Sequence, residues 1–367
     1  MVCLDSPWPA DYGGAIDMYY KLTALHKAGV LIHLHYFSRP QHGHATELNA
    51  YCESVHRYER KRGSKGFSLS LPYIVTSRNN NELLANLNKD EYPVLLEGIH
   101  CTGILSGINA TKKVLVRLHN DEHEYYQQLS CTTNNSIKKF YYRRESRLLK
   151  KYQQQLPKDG LYACITNKDV DTFKNEYGLK NAFFLPAFTP FHEVRSQEGI
   201  GNFCLYHGNL SVPENEKAAL WLIQHVFSKI KVPLVIAGKD PSERLRKMAH
   251  LFQHSCIVAN PSATEMRDLV RKAHIHVLPS FSTSGIKLKL LHALFEGRHC
   301  VVNKEMVAGT SLEEACHIGA NAAALASIII QLHHHPFTED EINLRKRLLG
   351  NIYDTDKNAG RIIQCLW

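Results

Sequence analysis

Residues 279–303 read PSFSTSGIKLKLLHALFEGRHCVVN, and this stretch decides the fold. A strand end and a loop of small residues precede an amphipathic helix, and a tight turn then leads into a second strand. Such a unit is typical of a parallel sheet with crossover helices. The helix begins beside Lys287 and Lys289. Because the free N–H groups and the dipole at a helix start favour an anion, this segment predicts a pyrophosphate site.

The same alternation of strand-like and helix-like segments runs through both halves of the chain. The first half includes a predicted helix at 14–27, a strand at 73–76 and a helix at 102–108, and the rhythm restarts at residue 203. The stretch 187–201 lacks clear periodicity and is the best linker candidate. The predicted fold is therefore α/β, with two Rossmann-like, doubly wound domains facing each other across a cleft. The predicted bounds are 1–190, 191–354 and a C-terminal helix at 355–367 that can pack back on the first domain.

Composition places the chain among globular proteins. It has 367 residues, of which 44% are hydrophobic and 22% charged, enough for two well-buried cores. The formal net charge of +9 favours anionic partners. Nucleic acid is not expected among them, since the sequence has no recognition-helix, RNP or zinc-finger signature.

The expected location is the cytoplasm. Ten cysteines are scattered without a CxxC pair, which is typical of free thiols in a reducing compartment. The N-terminus lacks a secretory pattern, and no apolar run reaches the roughly 18 residues of a membrane span. Peripheral association with the inner face of the cell membrane stays open, because residues 138–151 form a basic, aromatic helix that suits an anionic bilayer or an acidic acceptor. A solvated helix face is the alternative.

A glycine-rich loop near the start of the chain is a second predicted phosphate-facing loop, as the segment with Lys287 and Lys289 is in the second half. Residues 7–14 read PWPADYGG, so Gly13 and Gly14 lie between a short strand and a helix. Glycine allows a backbone to approach a donor phosphate or an acceptor closely, although an ordinary strand-to-helix turn is the alternative. In the second half, Gly208 and Asn209 follow a predicted strand and are expected to face the phosphates.

Several polar residues follow strands of the first half, where ligands of doubly wound domains bind. His119 is the catalytic candidate, with a hydrogen-bonded loop histidine as the alternative because the chain has 22 histidines. Glu97 ends a buried strand, and a buried carboxylate is unfavourable unless it is paired. Arg78 is either its partner or an acceptor contact. Asn120 is a further cleft candidate.

Three consecutive histidines at 333–335 raise the question of a metal site. Consecutive histidines at a helix end do not converge readily on one ion, and no Cys or His partner spacing accompanies them. A plain loop is predicted here, and no metal.

The motifs in their order resemble those of a two-domain retaining glycosyltransferase of the GT-B fold, in group 4 (glycosyl transferases group 1). The chain is most similar to a bacterial branch with the C-terminal motif G-x-K-x-K-hydrophobic-hydrophobic-x-A-L, which is GIKLKLLHAL here. The resemblance covers nearly the whole chain. It rests on the Gly13–Gly14 loop, R-x-H-N-x-E at 117–122, G-x-L at 208–210 and the motif at 285–294.

The resemblance implies transfer of a sugar from a nucleotide-sugar donor to a glycan or lipid-linked acceptor, with retention of configuration. The enzyme would be of hexosyltransferase type and serve cell-surface polysaccharide, lipopolysaccharide or glycolipid synthesis. The first domain would bind the acceptor and the second the donor. No cofactor or metal would be needed, since positive charges and a helix start replace the cation at the diphosphate. The implied donor-binding residues are Gly13, Gly14, Gly208, Asn209, Ser284, Gly285, Lys287, Lys289 and His292.

Two departures from the family pattern affect the predicted activity. Most members carry two glutamates separated by seven residues, and these positions fall on Ser284 and His292. Serine and histidine can still hydrogen-bond a sugar or ribose hydroxyl, but neither brings the charge of a carboxylate. The family's Arg and Lys after the G-x-L strand are also absent, and Lys287 and Lys289 are expected to supply that charge. A catalytically degenerate nucleotide- or glycan-binding protein is the main alternative, and a sugar-nucleotide epimerase is a weaker one.

Overall fold

The computed structural model describes residues 1–38, 45–133, 135–281, 285 and 287–367. These residues form two compact units. The first contains Met1–Pro190 and Tyr353–Trp367, and the second contains residues 191–281 and Lys287–Ile352. No helix in the described ranges is both long enough and apolar enough to cross a membrane.

The first unit is a seven-stranded sheet in the order β3-β2-β1-β4-β5-β6-β7, with parallel pairing throughout. The strand order reverses between β1 and β4, so the loops after these two strands open at the position where doubly wound sheets bind ligands. The strands are β1 (Val2–Cys3), β2 (His33–Ser38), β3 (Ser54–Glu59), β4 (Val94–Glu97), β5 (Val114–Leu118), β6 (Leu161–Cys164) and β7 (Asn181–Phe184); the helices are α1 (Gly13–Lys27), α2 (Tyr73–Thr76), α3 (Asn81–Leu87), α4 (Glu122–Thr132), α5 (Ser136–Gln154) and α6 (Asn167–Asn175), with 3-10 helices at Thr46–Tyr51, Gly63–Gly66 and Ile99–Gly107.

The second unit repeats this plan with a six-stranded parallel sheet in the order β10-β9-β8-β11-β12-β13. Here the strand order reverses between β8 and β11. The strands are β8 (Cys204–Asn209), β9 (Leu234–Lys239), β10 (Ser255–Ala259), β11 (Ile275–Leu278), β12 (His299–Val302) and β13 (His317–Ile318); the helices are α7 (Pro213–Leu222), which continues as a π-helix at Ile223–Phe227, α8 (Glu243–His250), α9 (Ala263–Lys272), α10 (Leu288–Glu296), α11 (Lys304–Val307), α12 (Ala322–Leu332) and α13 (Glu339–Ile352), with a 3-10 helix at Glu313–Ala315.

The last helix, α14 (Thr355–Leu366), packs on the first unit. Its apolar residues Ala359, Ile362 and Leu366 are buried in the same cluster as Met18 and Leu22 of α1. Apolar residues spaced by three and four along α14 share one face of a helix, so this face is covered by α1 and the first sheet.

One local prediction is wrong, and another is shifted along the chain. The segment Tyr73–Thr76 is helical rather than extended. Pro72 precedes this helix with φ −65° and ψ 140°, and a run of four apolar residues carries no period that distinguishes a strand from one helical turn. The helix expected at 102–108 is a longer 3-10 helix that begins at Ile99, after Gly98 turns the chain with φ +78°.

Candidate active site

Five ionisable side chains form a buried network at the carboxyl end of the first sheet. Lys21 Nζ lies 2.9 Å from Asp17 Oδ2 and 2.8 Å from each carboxylate oxygen of Glu97. Arg117 Nη2 lies 3.2 Å from Asp17 Oδ1. His119 Nε2 lies 2.9 Å from Glu97 Oε2. None of the five side chains is more than 7% exposed.

The network joins three elements around the reversal of strand order. Asp17 and Lys21 are four residues apart on α1 and therefore share one helix face. Glu97 is the last residue of β4, while Arg117 lies in β5 and His119 follows it. Because buried charges need opposite charges and hydrogen bonds, the network holds the start of α1 against the ends of two central strands.

Further hydrogen bonds tie the network to the chain that follows β7. Arg117 donates through Nη2 to the carbonyl of Pro186 at 2.9 Å and through Nη1 to the carbonyl of Leu185. The N–H of Phe188 donates to Asp17 Oδ1 at 2.7 Å. The guanidinium thus has acceptors on several of its donors, which is what a fully buried arginine requires.

Both carboxyl groups of the network are ionised. Burial by itself raises the pKa of Glu97, but the charge of Lys21 and the hydrogen bond from His119 outweigh it and hold that pKa below its ordinary value. Burial likewise opposes ionisation of Asp17, and Arg117 and Lys21 lower its pKa well below the ordinary range. The network therefore carries two negative charges that balance Lys21 and Arg117.

The same acids and histidine offer a candidate set of metal ligands. Asp17, Glu97 and His119 each present one ligand atom within 4.8 Å of the others. Lys21 Nζ already contacts both carboxylates at 2.8–2.9 Å, so its ammonium takes the position of a cation. These residues therefore fit an internal ion-pair network better than a metal.

Of the predicted residues in the first unit, Glu97 and His119 come together, whereas Arg78 does not join them. The predicted pairing of Arg78 with Glu97 is wrong, since Arg78 donates to the carbonyls of Leu4 at 2.6 Å and Ile74 at 3.0 Å. Burial, with Arg60 as a further cause, lowers the pKa of Arg78 to about 10. Arg78 therefore holds the backbone just beyond β1, and its other predicted role, an acceptor contact, stays a prediction.

Asn120 lies two residues before the first residue of α4. Its Nδ2 lies 3.4 Å from Glu122 Oε1, and within the described chain its buried Oδ1 has no hydrogen-bond partner. Burial raises the pKa of Glu122 to about 7. Asp121 caps α4 by accepting from the N–H groups of His123 and Glu124. The buried amide oxygen of Asn120 therefore keeps an unused acceptor position beside the start of α4.

Gly13 and Gly14 are the first two residues of α1. Neither has a positive φ, so the backbone conformation does not demand glycine at either position. A Cβ at Gly14 would lie 3.0 Å from the ring of Tyr12, which gives this glycine a packing role beside its predicted ligand role.

The second unit places Lys289 beside the end of β8. Its Nζ lies 2.5 Å from Asn215 Oδ1, 3.3 Å from the Tyr206 hydroxyl and 5.1 Å from the centre of the Tyr206 ring. A Cβ at Gly208 would lie 3.6 Å from the same Nζ. Burial, with Lys287 as the second cause, lowers the pKa of Lys289 to about 8. Lys289 and Gly208, two predicted donor-binding residues, are therefore neighbours.

The other donor-side predictions have different surroundings. Asn209 is exposed, and its Oδ1 accepts from the backbone and hydroxyl of Ser211 at 3.1 and 2.7 Å. Lys287 is the residue before the first turn of α10. Gly285 has φ +81°, a conformation that favours glycine. Ser284 lies outside the described residues.

His292 is a packed side chain. Its ring lies 5.1 Å from that of Phe191 in a stacked arrangement and 5.4 Å from that of His207. Burial lowers the pKa of His292 to about 4, so the imidazole is neutral near pH 7. A neutral imidazole retains one donor and one acceptor for a hydroxyl group.

Sequence reasoning missed Asp17, Lys21, Tyr206 and Asn215. A signal existed for the first two, because a charged pair four residues apart alternates with the apolar Met18 and Leu22 on the predicted buried face of α1. Tyr206 and Asn215 carried no comparable signal, since their role depends on where the side chain of Lys289 lies.

Comparison with known families identifies the second unit. Residues 201–335 match the family described as glycosyl transferases group 1. Over these residues the second unit is similar to a glycosyl transferases group 1 domain. The predicted enzyme class, a glycosyltransferase, is supported by this domain match.

One curated relative covers most of the chain. It is a Klebsiella pneumoniae protein described as an uncharacterized 44.6 kDa protein in the cps region, 27% identical over 312 residues that make up 80% of this chain and 79% of the relative.

Solved glycosyltransferase structures share the fold at low identity. Sucrose-phosphate synthase from Thermosynechococcus elongatus matches with a TM-score of 0.69 and 16% identity, over 99% of this chain and 97% of that one. WaaG, described as a glycosyltransferase involved in lipopolysaccharide biosynthesis, and Anabaena HepE, crystallised with UDP and glucose, each match with a TM-score of 0.65 and 11% identity, over 100% of this chain and 98% of theirs. The chain spans 57% of the length of TarM, another matching structure. These likenesses confirm the predicted α/β fold with two Rossmann-like domains, as in GT-B glycosyltransferases.

Proposed function

We propose that this chain transfers a sugar from a nucleoside-diphosphate donor to a glycan or lipid-linked acceptor, with retention of anomeric configuration. The observation that carries the proposal is the position of Lys289 at the carboxyl end of β8, beside Gly208. A group 1 domain and a fold shared with glycosyltransferases support the same reaction class.

Lys289 has the properties of a diphosphate-binding residue. Its hydrogen-bond partners, Asn215 and Tyr206, are neutral, and among the residues that the structure describes it forms no ion pair with a carboxylate. A buried ammonium with only neutral partners has a lowered pKa, and an anion beside it would stabilise the charged form. The leaving diphosphate gains negative charge in the transition state, so a fixed ammonium at this position favours departure of the nucleotide.

His119 is proposed to contact the transferred sugar in the first unit. Its Nε2 is held by the Glu97 carboxylate at 2.9 Å, which fixes the orientation of the ring. Retaining enzymes of this kind need no protein nucleophile, and none is assigned. Glu97 acts here as a positioning residue, since its own oxygens are occupied by Lys21 and His119.

The proposed pathway is the synthesis of a cell-surface polysaccharide or glycolipid. The relative in the cps region and the structural likeness to WaaG support this choice. HepE with UDP and glucose supports a nucleotide-sugar donor without selecting its base or sugar for this chain.

A membrane-facing surface on α5 is consistent with a lipid-linked acceptor. Ile137 and Phe140 are 82% and 74% exposed, and Lys138 and Lys139 lie between them. Leu69, which is 82% exposed, extends this apolar surface. Its loop is held beside α5 because Arg144 donates to the carbonyl of Ser68 at 2.6 Å. Exposed apolar side chains among lysines suit the headgroup region of an anionic bilayer, so we propose peripheral attachment through this surface.

The test is a thermal-shift screen of the purified chain against UDP, GDP, ADP and their sugar conjugates. One nucleotide is expected to raise Tm in a concentration-dependent way, and Lys289→Ala to weaken that binding at least tenfold. Lys231→Ala, an exposed lysine of the same unit, is the matched control and should bind like the parent. Lys287→Ala decides whether the second lysine also contributes. Binding that is identical in the parent and Lys289→Ala would contradict the proposed donor site.

A degenerate binder is the second candidate, and the packing of His292 against Phe191 and His207 favours it. If His292 serves packing only, it does not contact the nucleotide sugar, and position 292 lacks the carboxylate that most family members carry. The variant His292→Phe preserves the aromatic packing and removes the ring nitrogens. If the chain transfers sugar, this variant should keep its Tm and lose about tenfold in donor affinity. Unchanged affinity, together with nucleotide binding but no transfer to any acceptor, would favour the degenerate binder.

A further inference from the structure

A cluster of two histidines and a glutamate lies in the second unit, away from the residues discussed above. His299 is the first residue of β12, His317 is the first residue of β13, and Glu341 lies in α13. Each presents one ligand atom, and these three atoms all lie within 4.8 Å of one another. His299 Nδ1 lies 3.2 Å from Glu341 Oε1.

Two of the three side chains are oriented by hydrogen bonds through their far atoms. His299 Nε2 lies 3.1 Å from the carbonyl oxygen of His335 and donates to it. Glu341 Oε2 accepts from the N–H and the hydroxyl of Thr338, at 2.9 and 3.0 Å. Metal-binding histidines and carboxylates are typically held in this way, with the outer atom bonded to the protein and the inner atom facing the ion.

The inner atom of His299 is left without a hydrogen bond. His299 is 3% exposed, and its buried Nδ1 has no hydrogen-bond partner within the described part of the chain. Nε2 donates to the His335 carbonyl, so Nδ1 is the ring nitrogen that faces the carboxylate of Glu341. Nδ1 and Glu341 Oε1 lie 3.2 Å apart, with the histidine 3% and the glutamate 30% exposed, so a positive species, either a proton or a metal ion, is needed to join them.

We propose that His299, His317 and Glu341 bind a divalent transition-metal ion, with zinc as the best match. Two imidazoles and one carboxylate are a common zinc set, with water in the fourth position. Ligand atoms about 2.1 Å from a tetrahedral ion are about 3.4 Å apart. The His299–Glu341 separation of 3.2 Å meets this requirement, and the less buried His317 closes the remaining gap by a small rotation.

Two neighbouring side chains, His274 and Arg345, have hydrogen-bond partners outside the cluster. His274 packs against His299 at 5.1 Å between ring centres, but its own nitrogens are used by the carbonyl of Leu332 and the N–H of Gly201. The charge of nearby Arg345 acts on His317 and Glu341, but its guanidinium donates to the backbone carbonyls of Gly297 and Arg298 rather than to these side chains.

The position predicts a structural role for the ion. His299 is the first residue of β12 and His317 pairs with Val301, so the site lies beside β12 and β13, whereas Gly208 and Lys289 are near the carboxyl end of β8. The ion would join α13 to β12 and to β13, an edge strand of two residues. The inference is independent of the proposed sugar transfer and of its donor site.

The experiment measures metal binding by the chelator-treated full chain. We expect one Zn²⁺ or Co²⁺ per chain with a Kd below about 10 μM, and a rise in Tm of roughly 5 °C at hundredfold excess over Kd. Bound Co²⁺ should show the intense visible absorption of tetrahedral coordination. His317→Gln and Glu341→Gln should each weaken binding at least tenfold, and both change partly exposed side chains, so the fold is retained.

His334→Gln is the matched control, because His334 is an exposed histidine of the neighbouring run 333–335. It should bind Co²⁺ like the parent. The proposal is overturned if the folded parent binds no ion in this range, which would mean that a proton links His299 to Glu341. It is also overturned if binding is lost in His334→Gln or persists in His317→Gln, since the exposed histidines would then hold the ion.

Discussion

The imidazole Nε2 of His119 lies 2.9 Å from Oε2 of Glu97, and the same carboxylate accepts from Lys21 Nζ at 2.8 Å. The proposed reaction-centre histidine is therefore oriented by a carboxylate that also forms part of a fully buried ion-pair network. Because one group serves both purposes, changes at Glu97 should affect stability and reaction rate together, whereas changes at Lys289 should affect donor binding alone.

Glu97→Gln should destabilise the first unit strongly. The amide keeps the shape but removes the charge, and leaves Lys21 buried with Asp17 as its remaining carboxylate partner. Removing one partner of a buried ion pair costs about 3–5 kcal/mol of unfolding free energy. Urea denaturation of the parent and the variant checks this value.

The control for that change is Asp159→Asn. Asp159 pairs with Lys180 at 3.1 Å, but the two side chains are 82% and 72% exposed. Exposed pairs contribute about 0–1 kcal/mol, so the control should unfold nearly like the parent. Equal and small losses in both variants would show that the buried network does not support the fold.

Donor affinity should depend on pH through Lys289. Its pKa in the free chain is lowered to about 8, and a bound diphosphate would raise it by favouring the ammonium. Binding therefore takes up a proton above about pH 8, and affinity should fall as the pH rises, by up to tenfold per pH unit. Calorimetric titrations of the nucleotide between pH 7 and about pH 10 would measure this dependence.

Lys289→Arg provides the comparison, because a guanidinium stays protonated throughout this range. Its nucleotide affinity, even if weaker at pH 7, should show no decline above about pH 8. A parent whose affinity is constant over the whole range would show that Lys289 does not meet the phosphate.

Gly238→Ala should disrupt the second sheet. A Cβ at Gly238 of β9 would lie 1.8 Å from the carbonyl oxygen of Gly208 in the neighbouring β8. Backbone atoms of two central strands cannot move apart without breaking the ladder, so a loss of more than about 4 kcal/mol or failure to fold is expected. Soluble yield and thermal unfolding report it.

Gly350→Ala is the matched control substitution, and it should raise the stability rather than lower it. Gly350 lies inside α13, and a Cβ there would meet nothing within 4 Å. Alanine is the better helix former by roughly 0.5–1 kcal/mol, so Tm should rise slightly. Similar effects of the two alanines would mean that the β8–β9 contact is looser than the structure shows.

The exposed surface of α5 should bind anionic bilayers. The parent should sediment with vesicles that contain phosphatidylserine or phosphatidylglycerol. The double variant Ile137→Ser, Phe140→Ser should bind these vesicles at least tenfold more weakly, because both side chains are largely exposed and add apolar area. Ile330→Ser, a half-exposed residue of the second unit, is the control and should bind normally. Binding by the double variant equal to that of the parent would exclude α5 as the membrane surface.

Most of the fold follows from the sequence alone. Helix α10 lies at Leu288–Glu296, where the period of leucines and the preceding small residues place it, and the strand–helix alternation predicts both parallel sheets. These features depend on hydrophobic periodicity within 10 to 20 residues, which is a local property. The four-residue segment Tyr73–Thr76 is too short to express a period, and there the prediction is wrong.

The side-chain contacts required the tertiary structure. Sequence alone identified Glu97, His119 and Lys289 as chemically significant, but the pairing of Glu97 with Lys21 joins residues 76 positions apart, and Lys289 meets Asn215 across 74 positions. His299, His317 and Glu341 converge from two strands and a helix without any motif spacing. Local periodicity determines which face of each element is buried, whereas strand order and helix packing decide which distant polar groups share that burial and must satisfy one another.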